Sequence, residues 1–344
     1  MAARAFITGL SGAKLTDDER AFLREARPWG LILFKRNVQD RDQVIGLVRE
    51  ALHELRAEAA VLVDQEGGRV QRLGPPHWPA YPPGAAYGAL YDRDPAAGLA
   101  AARLGARLIA ADLQALGINV DCLPLADVPV PGADRVIGDR AYGETAGKVA
   151  AIAQAVADGL VSGGVLPVLK HIPGHGRATA DSHERLPVVQ ADRATLEATD
   201  FAAFRPLKKL PLAMTAHVVF TAIDPVRPAT TSATMIREVI RGLIGFDGLL
   251  MSDDVSMGAL AGSIAARTRA ALAAGCDLVL HCNGRLDEMQ AVAAETPKLA
   301  GDAMRRADQA LAMRKAANDF DVRAGRERFA ALLGTASGGT QVTT

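Results

Sequence analysis

Eight short apolar runs recur along this chain of 344 residues, at 5–10, 30–34, 60–64, 118–127, 165–171, 212–220, 248–253 and 278–282. They are rich in Val, Ile and Leu at successive positions. Both faces of each strand are therefore apolar, as in a parallel sheet covered on both sides. Segments with helical periodicity fill most of the gaps. Thr16 followed by Glu19 is a capping box that opens a helix over 17–27. Asp40 caps a helix over 41–59, and Asp94-Pro95 makes a cap and first turn. Ser232 and Ser263 stand before helices over 233–244 and 264–274. Eight strand–helix units predict a single-domain α/β fold, a closed (β/α)8 TIM barrel spanning 1–334. The alternative is an open doubly wound sheet. It would bring G-x-G-x-x-G after the first strand, and Gly9-Leu10-Ser11-Gly12 does not match.

Two stretches lack periodicity. The Pro-rich segment 74–84 reads as a loop after the third strand, and 335–344 is expected to be a disordered tail. Lys and Arg together number 39, as do Asp and Glu, so no net field draws in nucleic acid or an anionic membrane. Neither partner is expected. The three cysteines, Cys122, Cys276 and Cys282, form no C-x-x-C and read as buried reduced thiols. No run of about 18 apolar residues occurs, and the first residues lack the apolar core of a signal peptide. A cytoplasmic monomer acting on a small molecule is the expectation.

In such a barrel the reactive residues sit at the C-terminal ends of the strands. Polar residues collect there: Asp64, Glu66, Arg69 and Arg72 after the third strand, Asp127 after the fourth, and Lys170, His171 and His175 after the fifth. His217 follows the sixth, Asp253 and Asp254 the seventh, and His281 and Asn283 the eighth. The segment KHIPGHGRATADSH (170–183) is the richest. Pro173, Gly174 and Gly176 forbid a helix, so His171 and His175 cannot form a helical metal pair. No metal or cofactor is expected, although a loop-built site from His171, His175 and Asp253 is an alternative.

Asp181 and His183 lie two residues apart, close enough for a carboxylate to fix an imidazole as acid and base. The plainer reading is an Asp capping a surface turn. Asp253 ends a very apolar strand and points into the mouth, where a carboxylate can act as nucleophile. Asp254 is assigned to capping.

Segment 170–183 resembles the signature of family 3 glycoside hydrolases of the N-acetylglucosaminidase type, KH-F-PGHG-x4-DSH, with Ile172 where Phe is usual. GLILFKRNVQD (30–40), VDQEGGRVQRL (63–73), VIGDRAYG (136–143), MTAHVVF (214–220), GFDGLLMSDDVSM (245–257) and AGCDLVLHCN (274–283) are similar to it too. The resemblance implies a retaining mechanism, with Asp253 as nucleophile, His183 as acid/base and Asp181 orienting it. It also implies that Asp64, Arg72, Arg140, Lys170 and His171 bind the sugar. Met251 and Met257 are read as packing, and His175 and His217 as supporting groups. Relatives that draw their acid/base from a second domain need residues this chain is expected to lack. The implied substrate is N-acetylglucosamine β-linked to 1,6-anhydro-N-acetylmuramic acid, with or without peptide, in cell-wall recycling. One departure is Glu184-Arg185, two charges next to the dyad. The competing activities are a glycoside phosphorylase, a barrel metallohydrolase and a non-catalytic sugar-binding barrel.

Overall fold

The computed structural model of the chain describes residues 3–55 and 59–334. Eight parallel strands close into a barrel: β1 Arg4–Gly9, β2 Pro28–Leu33, β3 Ala60–Val63, β4 Val120–Asp121, β5 Leu166–Ile172, β6 Leu212–Thr215, β7 Leu249–Asp254 and β8 Leu278–His281. Each strand pairs with its neighbour in sequence, and β8 pairs with β1, so no edge is left open. Helices lie between the strands, and the fold is a single-domain (β/α)8 barrel. The open-sheet alternative is excluded by the β1–β8 ladder, where Phe6, Ile7 and Thr8 face Val279, Leu280 and His281.

Side chains alternate across most of the barrel wall. Leu62, Val168, Met251, Leu278 and Leu280 belong to an inner core that fills the barrel. Val61, Val63, Leu169, Leu250 and Val279 belong to an outer core beneath the helices. The helix Gly301–Ala312 adds Ala307 and Ala310 to the inner core and closes one end of the barrel. The same alternation aims the chemistry. Asp64, Lys170 and Asp253 each lie two residues beyond an inner-core residue, namely Leu62, Val168 and Met251. All three therefore face the open mouth.

The expected caps form. Thr16 Oγ1 accepts the Glu19 N–H and Glu19 Oε2 accepts the Thr16 N–H, opening the helix Asp17–Ala26. Asp40 accepts the Gln43 N–H before Arg41–Leu55, Asp94 accepts from Ala96 and Ala97, and Ser263 accepts from Ala266. Ser232 accepts the Met235 N–H ahead of Met235–Ile244, which winds as a π helix. The end of the helix expected over 41–59 and the tail 335–344 lie outside the described residues.

Two strands differ from expectation. The run 118–127 yields only Val120–Asp121 as a strand, because Pro124 has no N–H to give to the ladder. The chain rejoins β5 through a single bridge, Leu125 to Lys170. The run 212–220 leaves the barrel after Thr215. Its end, Val219–Phe220, pairs instead with Val188–Val189 in a small separate ribbon.

Candidate active site

A cavity of about 450 Å3 opens at the barrel mouth. Its floor is an ionic cluster. After β3 the chain doubles back as an antiparallel ribbon, Gln65–Gly67 against Val70–Gln71. Gly67 has φ +96°, and a Cβ there would sit 2.3 Å from the Pro82 carbonyl oxygen, so only glycine permits this return. Gln65, fully buried, holds the ribbon by accepting the Arg72 and Leu73 N–H groups. Asp64 and Glu66, two residues apart, consequently face the same cavity. Lys170 Nζ lies 2.6 Å from Glu66 Oε1 and 3.1 Å from Asp64 Oδ1. Arg72 pairs with Asp64 at 2.9 Å, and Arg140 grips Glu66 with two bonds of 2.8 and 2.9 Å.

Burial opposes charge on these carboxylates, but their cations outweigh it. Lys170 and Arg72 hold Asp64 well below the ordinary range, and Lys170 and Arg140 pull Glu66 down to about 2. Burial likewise penalises the ammonium of Lys170, yet Glu66 and Asp64 raise it above its ordinary value. The result is a fixed array of charged groups, which suits the orientation of sugar hydroxyls.

His171 enters from the end of β5. Its Nδ1 is 2.7 Å from Asp127 Oδ2, and Asp127 Oδ1 accepts the His175 N–H at 2.7 Å. Asp127 is fully buried and its pair with His171 fixes the imidazole orientation. Gly176 passes so close to the Val128 carbonyl that a Cβ would lie 2.2 Å from its oxygen. The loop then carries Asp181 and His183 to the rim of the same cavity. Asp181 Oδ1 accepts the His183 N–H at 2.9 Å and lies 2.7 Å from His183 Nδ1. The backbone N–H groups of Gly258 and Ala259 donate to the carbonyls of His183 and Ser182, docking the loop on the segment after β7. Glu184 and Arg185 turn their backbone N–H groups to the Asp181 carbonyl.

Asp253, at the end of β7, lines the same cavity. Burial would raise its pKa, but His217, His171, the Asp254 N–H and His183 offset that, leaving it below the ordinary carboxylate value. Asp254 uses its carboxylate on Ser256 and on the Cys282 N–H, which is a supporting role. His217 sits behind Asp253, and His281 bonds Glu288. Among the described residues, no group of three or more His, Cys, Asp and Glu side chains is placed to hold a metal ion.

The family model described as the glycosyl hydrolase family 3 N terminal domain matches residues 5–313. The chain belongs to glycosyl hydrolase family 3. It is a glycoside hydrolase. A curated relative named beta-hexosaminidase, from Alkalilimnicola ehrlichii, is 44% identical over 282 residues, covering 80% of this chain and 79% of that protein. The structure of NagZ from Neisseria gonorrhoeae in complex with N-trifluoroacetyl-D-glucosamine superposes with a TM-score of 0.86. The two chains are 32% identical, with 98% of this chain and 99% of that one covered. A family 3 beta-N-acetylglucosaminidase from a Paenibacillus species matches 99% of this chain at a TM-score of 0.79 and 30% identity. The chain spans only 63% of that enzyme's length.

Glu66 and Asp127 were named at strand ends but not placed in the site from sequence. The signal for Glu66 was its i, i+2 relation to Asp64 in an extended segment. No local signal paired Asp127 with His171.

His175 offers a direct test of site electrostatics. Burial and the neighbouring His171 push its imidazole down to about 4. Its Nε2 lies 3.1 Å from Ser182 Oγ, and among the described residues its Nδ1 has no partner. An unfolded chain takes up this proton near pH 6.5, whereas the folded chain refuses it until about pH 4. Stability from this group is complete above pH 6.5 and falls as pH drops toward 4, by up to about 3 kcal/mol. Denaturant unfolding at pH 7 and pH 4.5 should show that loss in wild type, and a shallower slope in His175→Asn.

Proposed function

We propose that this chain is a retaining β-N-acetylhexosaminidase that removes N-acetylglucosamine from 1,6-anhydro-N-acetylmuramic acid and its peptide-bearing forms. The observation that carries the reading is one cavity holding an ionised carboxylate, Asp253, and an imidazole tied to a carboxylate, His183 with Asp181. Asp253 attacks the anomeric carbon while protonated His183 gives its proton to the departing oxygen. A glycosyl-enzyme ester on Asp253 results. His183, now neutral, takes a proton from water, which attacks the same carbon and frees Asp253. Two inversions return the β configuration. With Nδ1–H directed at Asp181, Nε2 is the atom that handles the proton.

Asp64, Arg72, Arg140, Lys170 and His171 bind the sugar in this scheme. Ion pairs with one another, with Glu66 or with Asp127 keep them in place before substrate arrives, so little ordering remains to be done on binding. The beta-hexosaminidase names of curated relatives and the likeness to NagZ support the substrate class and favour hydrolysis over phosphorolysis. The three free, buried thiols suit a reducing compartment, and we place the enzyme in the cytoplasm, acting as a monomer because one chain supplies the whole site.

The test is release of nitrophenol from the N-acetyl-β-D-glucosaminide and from the β-glucoside, alongside cleavage of the anhydromuramyl disaccharide. The N-acetyl sugar is expected to react at least about 100-fold faster, because a site built for the acetamido group is left unsatisfied by a hydroxyl. Proton NMR should show the β anomer as first product. Absence of release from every substrate would sink the reading.

A further inference from the structure

His217 is fully buried and does not line the cavity. A buried imidazole costs free energy unless its nitrogens are satisfied, and an apolar residue would fill the same space at less cost. Here both nitrogens are engaged, and both lead to the segment that carries Asp253. Nε2 lies 3.0 Å from the carbonyl oxygen of Asp254. A carbonyl can only accept, so Nε2 carries a proton. Nδ1 lies 2.7 Å from Thr230 Oγ1, and that hydroxyl is 2.7 Å from Thr215 Oγ1. Thr215 Oγ1 in turn accepts the Asp253 N–H at 3.3 Å. Thr215 and Thr230 are fully buried as well. The backbone before and after the Asp253–Asp254 pair is thus anchored to one set of hydrogen bonds: the Asp253 N–H through Thr215, and the Asp254 carbonyl, one peptide further on, through His217.

We propose that His217, linked through Thr230 and Thr215, is the positioning residue that aims the Asp253 carboxylate at the anomeric carbon. The inference rests on the reading of Asp253 as nucleophile. It adds a residue outside the cavity that controls the first chemical step. Electrostatics point the same way. The groups facing Asp253 include His217 from the segment after β6, His171 from β5, His175 and His183 from the loop above, and the N–H of Asp254. Among them His217 does most to offset the burial of the carboxylate. Cys282, just after β8, adds a thiol whose own ionisation burial and Asp254 suppress.

The experiment compares full-length His217→Gln and Thr230→Val with wild type, using both nitrophenyl and dinitrophenyl N-acetyl-β-D-glucosaminides. A dinitrophenolate leaves without a proton, so its release in the first turnover reads attack by Asp253 alone. His217→Gln is expected to slow that step about 50-fold, since a small misplacement of a reacting group costs on the order of 100-fold. The acid limb of kcat/KM should also move to higher pH. Thr230→Val, which keeps the packing and removes the hydroxyl, should lose roughly 10-fold in the same step. Folded variants whose first step and acid limb stay within twofold of wild type would overturn the proposal. So would a loss confined to KM, or an insoluble His217→Gln beside an unaffected Thr230→Val. Failure of the underlying reading shows separately: a fluorosugar inactivator would then leave wild-type Asp253 unlabelled, and the His217 proposal would fall with it.

Discussion

Asp253→Ala is expected to cut kcat/KM on nitrophenyl N-acetyl-β-D-glucosaminide by on the order of 10⁴-fold, with the fold intact. The side chain accepts one bond, the N–H of Asp254 at 2.8 Å, so little of the architecture depends on it. Its removal takes away the only carboxylate at the end of an inner-core row of β7 that is not committed to capping. The variant also leaves room for a small anion. Added azide should attack from the vacated side and displace nitrophenolate, giving an α-glycosyl azide by a single inversion. Recovery of the α azide identifies Asp253 as the nucleophile, whereas full activity without azide would remove it from that role. In wild type the pH dependence follows from the same environment. Asp253 titrates below the ordinary value of 3.8, so activity is lost on the acid side only as pH falls through that lower value. Above it the nucleophile is ionised, and no acid limb from Asp253 should be seen near neutrality.

His183→Ala should fail in a different way. The imidazole is largely exposed and its ion pair is with Asp181, so the fold has little to lose. With the anhydromuramyl disaccharide, whose leaving oxygen needs a proton, the loss should be on the order of 10³-fold. With the dinitrophenyl glycoside the first step needs no proton and should stay within a few-fold of wild type. The second step then lacks its base. A burst of dinitrophenolate, stoichiometric with enzyme, should precede a slow phase. Azide should speed that phase and yield the β azide, since it attacks the glycosyl-enzyme in a second inversion. The opposite anomers from the Asp253 and His183 variants separate the two roles in one assay. Asp181→Asn should show the same pattern with a smaller loss, roughly 100-fold, because the imidazole remains but its orientation is no longer fixed. Equal losses with both leaving groups would rule out an acid/base role for His183.

The barrel was readable because parallel strands buried on both faces appear as unbroken apolar runs, and each of the eight runs overlaps a barrel strand. The capping box at Thr16 and Glu19 was equally readable, since it depends on residues three apart. Strand lengths were less so. Hydrophobicity continues from 118 to 127, but the ladder stops where Pro124 cannot donate, and the run 212–220 divides between two sheets.

For the candidate site, the sequence alone determined which polar residues stand at strand ends, because a period of two places Asp64, Lys170 and Asp253 beyond inward-facing neighbours. It also determined that the segment 170–183 cannot be a helix, because Pro173 and the glycines that follow it exclude one; its first three residues complete β5 and the rest is loop. Which of these groups meet was decided only by closure of the barrel. Glu66 finds Arg140 74 residues away, His171 finds Asp127 across 44, and His217 reaches the carbonyl of Asp254 across 37. Each of these pairs joins residues that end or follow different strands, and their approach depends on strand register and on the return of the ribbon after β3. The charge states follow from that same closure. Burial and partner charge act oppositely on Asp64, Glu66, Asp127, Asp181 and Asp253, and their balance depends on distances that no local spacing contains.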